Sequence, residues 1–230
     1  MSDGENNGSL AGLWNRARRF LSGVAQPGPE GPVGGEVVRL SRTLRPFLQA
    51  LEEVPSPVVV DLGPVIGSNV GFLGARLACK LFPEDLYADV DQPFPRGDGD
   101  GLASVLAAKL RQEPGCVDGI LAWDIFDYLG PGEAAALSRR LTALLRPGGL
   151  MMALVTTEPR HEAASRRYVM VDADHLRHRP APGARWARTV RPLRDIEVML
   201  APLEVRQSHL LAHHQREMLL RRPPAPGKEE

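Results

Sequence analysis

Cysteine is scarce in this chain: Cys79 and Cys116 are the only two among 230 residues. So few exclude a disulfide framework, and their apolar or small neighbours predict reduced, buried thiols. Charge of one sign is not in excess either. Lys and Arg total 28, Asp and Glu total 28, and the formal net charge is zero. That balance excludes a protein that grips nucleic acid through a broad basic surface, because phosphate neutralisation dominates such binding. No DNA partner is expected. No run approaches the ~18 consecutive apolar residues of a membrane-spanning helix. The opening Met-Ser-Asp-Gly-Glu-Asn-Asn lacks the basic and apolar segments of a secretory signal, so a cytoplasmic location is expected. Gly-x-Ser-x-Gly and Gly-Lys-Ser/Thr are both missing, which removes hydrolase and ATPase readings. The histidine clusters, His175–His178 and His209–His214, stand far from either cysteine, and no metal site is expected.

What is present begins with a polar stretch over 1–9. Leu10, Leu13, Trp14, Ala17 and Leu21 then recur at helical spacing, with Arg16, Arg18 and Arg19 mainly off that stripe. Such a helix packs on its own domain or a second subunit, or makes a peripheral membrane or partner contact through Leu10–Leu21. Residues 23–36 form a Pro/Gly linker, so 1–36 reads as a tail and 37–222 as one α/β domain. A second helical stretch is predicted with Val38, Leu44, Phe47, Leu48, Leu51 and Val54 on its apolar face, ended by Pro55 and Pro57.

Strand–helix alternation follows. Val58–Leu62 reads as a buried strand, Asn69–Leu81 as a helix, and Lys80–Phe82 as a short second strand. A helix near Leu102–Arg111, a strand over Val117–Trp123, a helix over Glu133–Leu145 and a strand over Leu150–Thr156 come next. Pro147-Gly148-Gly149 makes the turn into the last of these. The alternation predicts a Rossmann-like, doubly wound, mostly parallel sheet. Leu203–Leu211 and Gln215–Arg221 are expected to pair as an antiparallel hairpin at the sheet edge, and 223–230 as a tail.

The chemistry concentrates at Asp61-Leu62-Gly63-Pro64-Val65-Ile66-Gly67. A strand entering a glycine-bearing turn and a helix lets a nucleotide cofactor approach the backbone and meet free N–H groups. Asp61, Gly63 and Gly67 fall in register with acid-x-Gly-x-Gly-x-Gly, and Val65 takes the place of the middle glycine.

Asp61-Leu62-Gly63, an acid about twenty residues on, Val117–Asp124 and Leu145-Arg146-Pro147-Gly148-Gly149 occur in that order. Together they resemble the class I S-adenosylmethionine-dependent methyltransferases, over about residues 56–157 plus the final hairpin. The resemblance implies S-adenosylmethionine as cofactor and methyl transfer to an acceptor, most readily a small molecule. It implies that Glu84, beside Asp85, binds the ribose hydroxyls at the end of the second strand, with Asp89 the alternative if the strand is Leu86–Val90. Asp61 would orient the glycine turn, and Trp123 would lie where cofactor and substrate meet. Asp124 or His161 would serve as base if the acceptor must lose a proton. Only 34 positions separate Glu84 from Asp118, so a third strand between them is expected to be very short or missing. The Arg-rich segment 158–200 stands where a substrate-capping insert would. Val65 also motivates an alternative: a non-catalytic, methyltransferase-fold binding or scaffold protein with weakened cofactor binding. A nicotinamide-dependent oxidoreductase would use the same strand–turn–helix, but the Pro-Gly-Gly turn and terminal hairpin disfavour it. Oligomeric state is left open.

Overall fold

A computed structural model of the chain describes residues 35–87, 108–157, 166–180, 189–211 and 214–224. All but Gly35 belong to the unit Glu36–Glu230. The predicted Leu10–Leu21 helix, Asp89, His161 and most of the Leu102–Arg111 helix lie outside the described residues.

The elements run β1 (Val37–Leu40), α1 (Leu44–Glu52), β2 (Val58–Asp61), α2 (Gly67–Leu77), β3 (Lys80–Pro83), β4 (Val117–Trp123), a 3-10 turn (Ile125–Tyr128), α3 (Pro131–Leu144), β5 (Leu145–Thr156), β6 (Arg166–Met170), β7 (His175–Pro180), α4 (Leu193–Leu200), β8 (Glu204–Leu210) and β9 (Gln215–Arg221). Six strands make one sheet in the order β3-β2-β4-β5-β9-β8. The β3/β2, β2/β4 and β4/β5 pairs are parallel, while β9 runs antiparallel to both β5 and β8. This is the expected mostly parallel α/β sheet with its antiparallel edge hairpin.

Burial explains the strand assignments. Every residue of β4 is buried, as a parallel strand covered on both faces requires. Helix α1 lies over it with Phe47 and Leu51 reaching Gly119, where a Cβ would come within 2.8 Å of Leu51 Cδ1 and 2.9 Å of Phe47 Cζ. The N-terminus of α1 is met by a carboxylate from the far end of the chain. Glu217 Oε2 accepts the backbone N–H of Arg42 at 2.6 Å and of Thr43 at 3.3 Å, so a buried acid satisfies free donors and the positive end of the helix dipole. At α3, Pro131 occupies the first helical position and Glu133 accepts the Gly130 N–H at 2.7 Å.

Four expectations are corrected. Val38 does not continue the α1 face; it lies in β1, which pairs with β7. Its 50% exposure shows that long-range ladder pairing, not local amphipathicity, sets its conformation. Helix α2 ends at Leu77, because Ala78 turns left-handed (φ 45°) and sends Leu81 into β3. Pro147-Gly148-Gly149 is a bulge inside β5: pairing jumps from Val117↔Leu145 to Gly119↔Leu150, with Gly148 at φ 82° supplying the left-handed step. Cys116 is exposed and Cys79 only half-buried, so the thiols are not core residues.

β6 and β7, from the segment after β5, join β1 in a second sheet, β1-β7-β6, antiparallel throughout. Asn69 fastens it to helix α2. Asn69 Nδ2 donates to the Tyr168 carbonyl at 2.8 Å, and the Met170 N–H donates to Asn69 Oδ1 at 2.8 Å. The side chain thereby imitates one rung of a strand ladder between α2 and β6.

Substituting Gly119→Ala should overpack the α1/β4 contact and cost about 1–3 kcal/mol in urea unfolding, with the m-value unchanged. A wild-type midpoint would contradict the close packing of Phe47 and Leu51 on β4.

Candidate functional site

In an open α/β sheet, ligands bind beyond the carboxyl ends of the strands, where the direction of winding reverses. Here β2 has β3 on one side and β4 on the other, so that point falls between β2 and β4. Asp61 ends β2 and Trp123 ends β4, which brings two expected site residues together.

The contact between them is direct. Trp123 Nε1–H donates to Asp61 Oδ1 at 2.6 Å, and the same oxygen accepts the Gly63 N–H at 2.9 Å. Asp61 thus holds the Gly63 N–H at the start of the glycine turn. The indole lies against Gly63 so closely that a Cβ there would come within 2.7 Å of both Trp123 Cδ1 and Nε1. Gly67 differs: it opens α2 and a Cβ there would meet nothing within 4 Å. Val65, in the middle-glycine position, is 46% exposed.

Trp123 is held in an unfavourable backbone conformation, φ 50°, which costs a non-glycine residue roughly 1–2 kcal/mol. A charge-assisted hydrogen bond contributes about 1.5–3 kcal/mol and aromatic stacking about 0.5–1.5 kcal/mol. Tyr168 of β6 supplies that stack, with ring centroids 5.4 Å apart and planes 5° from parallel. Together these interactions outweigh the strain.

Asp124, the next residue, is completely buried. Its Oδ1 accepts the Tyr87 hydroxyl at 2.6 Å, and its Oδ2 accepts those of Tyr168 at 2.8 Å and Tyr128 at 3.0 Å. Every tyrosine in the chain therefore points at this one carboxylate. Burial, reinforced by Asp124, raises the Tyr87 phenol well above its ordinary range and keeps it a donor. Gln215 Nε2 of β9 donates to the Tyr168 oxygen at 2.8 Å, extending the network across the sheet. The tyrosines carry no spacing signal; their rarity alone could have singled them out.

Glu84 and Asp85 follow β3 and run beside the glycine turn: the Glu84 N–H donates to Asp61 O at 2.8 Å and the Leu86 N–H to Leu62 O at 3.0 Å. Leu86 opens no strand. The Glu84 carboxyl is half-buried, accepts Gln112 Nε2 at 2.6 Å, and is raised by desolvation against the pull of that bond and of Lys109 and Arg111. Asp118 braces the sheet: it accepts the Val58 N–H at 2.7 Å and the Arg146 guanidinium from the β5 bulge. Asp127 likewise accepts the Thr156 N–H at 3.0 Å. Among the described residues no group of three His, Cys, Asp or Glu side chains gathers as metal ligands, and no helix is long and apolar enough to cross a membrane.

This topology is a Rossmann-like, mostly parallel α/β fold. Among solved structures, the [4+2]-cyclase SpnF superposes with a TM-score of 0.50 at 10% identity, over 80% of this chain and 82% of that one. An S-adenosylmethionine-dependent methyltransferase from Mesorhizobium loti gives 0.47 at 15% identity, over 77% and 96%. A 1,6-didemethyltoxoflavin-N1-methyltransferase from Burkholderia thailandensis, solved with bound 1,6-didemethyltoxoflavin and S-adenosylhomocysteine, gives 0.43 at 16%, over 93% and 85%. No protein-family profile and no curated protein sequence matches the chain. The likeness is one of fold.

Burial raises the Asp61 carboxyl from its ordinary 3.8 to about 6, against the lowering effect of the Trp123 and Gly63 hydrogen bonds. Between those values the folded chain holds a proton that the unfolded chain has released, so stability falls as pH rises through that window and stays lowered above it. The displacement is worth on the order of 3 kcal/mol. Asp61→Asn keeps an acceptor for both donors without the charge. In urea unfolding it should match wild type below pH 4 and exceed it by roughly 2–3 kcal/mol at pH 7. A difference independent of pH would contradict the burial of a charged Asp61.

Proposed function

We propose that this protein is an S-adenosylmethionine-dependent methyltransferase that acts on a small-molecule acceptor in the cytoplasm. The observation that carries the reading is the meeting of Asp61, the Gly63–Gly67 turn and the N-terminus of α2 at the switch point between β2 and β4, with Glu84 following the neighbouring strand β3. These residues suit the cofactor in part. Glu84 offers a half-buried carboxylate for a ribose diol, and Gly67 leaves its backbone approachable. Gly63 fits only once the indole of Trp123 has moved aside.

The cofactor would supply an electrophilic methyl group, and the chain would align the acceptor and exclude water. Asp124 acts as a positioning residue in this reading. Both its oxygens are engaged by tyrosine hydroxyls, so it orders the ends of β4 and β6 rather than taking a proton from an acceptor. An acceptor that must lose a proton would draw on His161 or on a group of its own.

The closure over Gly63 favours one second reading, a methyltransferase-fold binding protein without catalysis. Titration calorimetry of the full chain with S-adenosylmethionine and S-adenosylhomocysteine separates the two: the methyltransferase reading expects saturable heat, and silence at millimolar ligand would sink it. Glu84→Ala should weaken either ligand about ten-fold or more, equivalent to ~1.4 kcal/mol. Unchanged affinity would remove Glu84 from the ribose site.

A further inference from the structure

We propose that Trp123 is an internal plug of the cofactor site, latched by Tyr168, and that the hairpin of β6 and β7 must loosen before a ligand reaches the Gly63 backbone. The proposal rests on the cofactor reading above. It begins from an occupancy: the indole holds the space beside Gly63, within 2.7 Å of where a Cβ would stand, and its Nε1–H takes the Asp61 oxygen that also orients the turn. The plug imitates a ligand, filling the cradle with an aromatic ring and satisfying its acid.

Two features mark it as one of two positions and not ordinary core. Trp123 adopts φ 50°, a left-handed conformation that an L-residue keeps only under constraint. The constraint comes from outside its own strand, through the parallel stack of Tyr168. Tyr168 is in turn fixed at both ends. Its hydroxyl joins Asp124 and Gln215, and its carbonyl is clipped to α2 by Asn69. Releasing β6 removes the stack and frees Trp123 to relax toward an ordinary strand-end conformation. The same release exposes Gly63 and Asp61 beside the helix N-terminus. Asn69 lies on the helix whose first turn would face the ligand, so ligand contact at α2 and detachment of β6 act on one element.

Affinity in such a system is lowered by the fraction of molecules that are open, so removing the plug recovers that factor. Binding of S-adenosylhomocysteine to the full chain is measured by calorimetry for wild type, Trp123→Ala and Tyr168→Leu, each checked for cooperative thermal unfolding. Trp123→Ala should bind at least ten-fold tighter than wild type, and Tyr168→Leu should shift in the same direction. If Trp123→Ala fails to fold, Tyr168→Leu carries the test. In a Trp14→Phe/Trp186→Phe background, the ligand should also red-shift the emission of Trp123, now buried at 2% exposure. Equal or weaker binding by the folded variants, or binding with no change in Trp123 emission, overturns the plug while leaving the cofactor reading intact. No binding by wild type or any variant at millimolar ligand overturns both.

Discussion

The buried carboxylate of Asp124 is the fixed point on which the rest of the site depends. A carboxylate taken fully out of water is tolerated only when its oxygens find donors, and here three phenol hydroxyls provide them. Each donor arrives from a different segment: Tyr87 from beyond β3, Tyr128 from the 3-10 turn after β4, and Tyr168 from β6 of the second sheet. One side chain thus ties three separate segments and both sheets together. Removing a single hydroxyl would leave the acid partly served; removing the acid would take one shared acceptor from three buried phenols at once.

From that point the order spreads in one direction. Tyr168, positioned by its hydroxyl, presents its face to Trp123; Trp123, pressed into a left-handed backbone, presents its N–H to Asp61; Asp61 holds the Gly63 turn. The strain at Trp123 makes sense only within this chain of contacts. So does the buried charge of Asp61, which the fold retains at a cost in stability near neutral pH. Features that each oppose folding are collected at the carboxyl ends of β2 and β4, where binding sites of this fold class lie.

Much of the main sheet was legible in the residues themselves. Val58–Asp61 and Val117–Trp123 are short apolar runs with turn residues beyond them, and α3 and the terminal hairpin carry strong local patterns. The second sheet was not, because β1 is stabilised by a partner more than a hundred positions away and its own residues are half exposed. Asp61, Gly63 and Trp123 were picked out as a site from their order along the chain, and the structure brings them into contact. What order alone could not convey is that Trp123 lies on Gly63 instead of beside it. An apolar residue at the end of a buried strand reads the same whether it lines a cavity or fills one. The three tyrosines are similarly silent in one dimension, since only the fold makes them neighbours.

The indole N–H of Trp123 makes the bond on which the closure of the site depends. Its hydrogen exchange can be followed by NMR in protein labelled at tryptophan indole nitrogen, first alone and then with S-adenosylhomocysteine added. A bond to buried Asp61 predicts strong protection in the free protein and loss of that protection on ligand binding. Exchange at the rate of an exposed tryptophan before any ligand is added would contradict it.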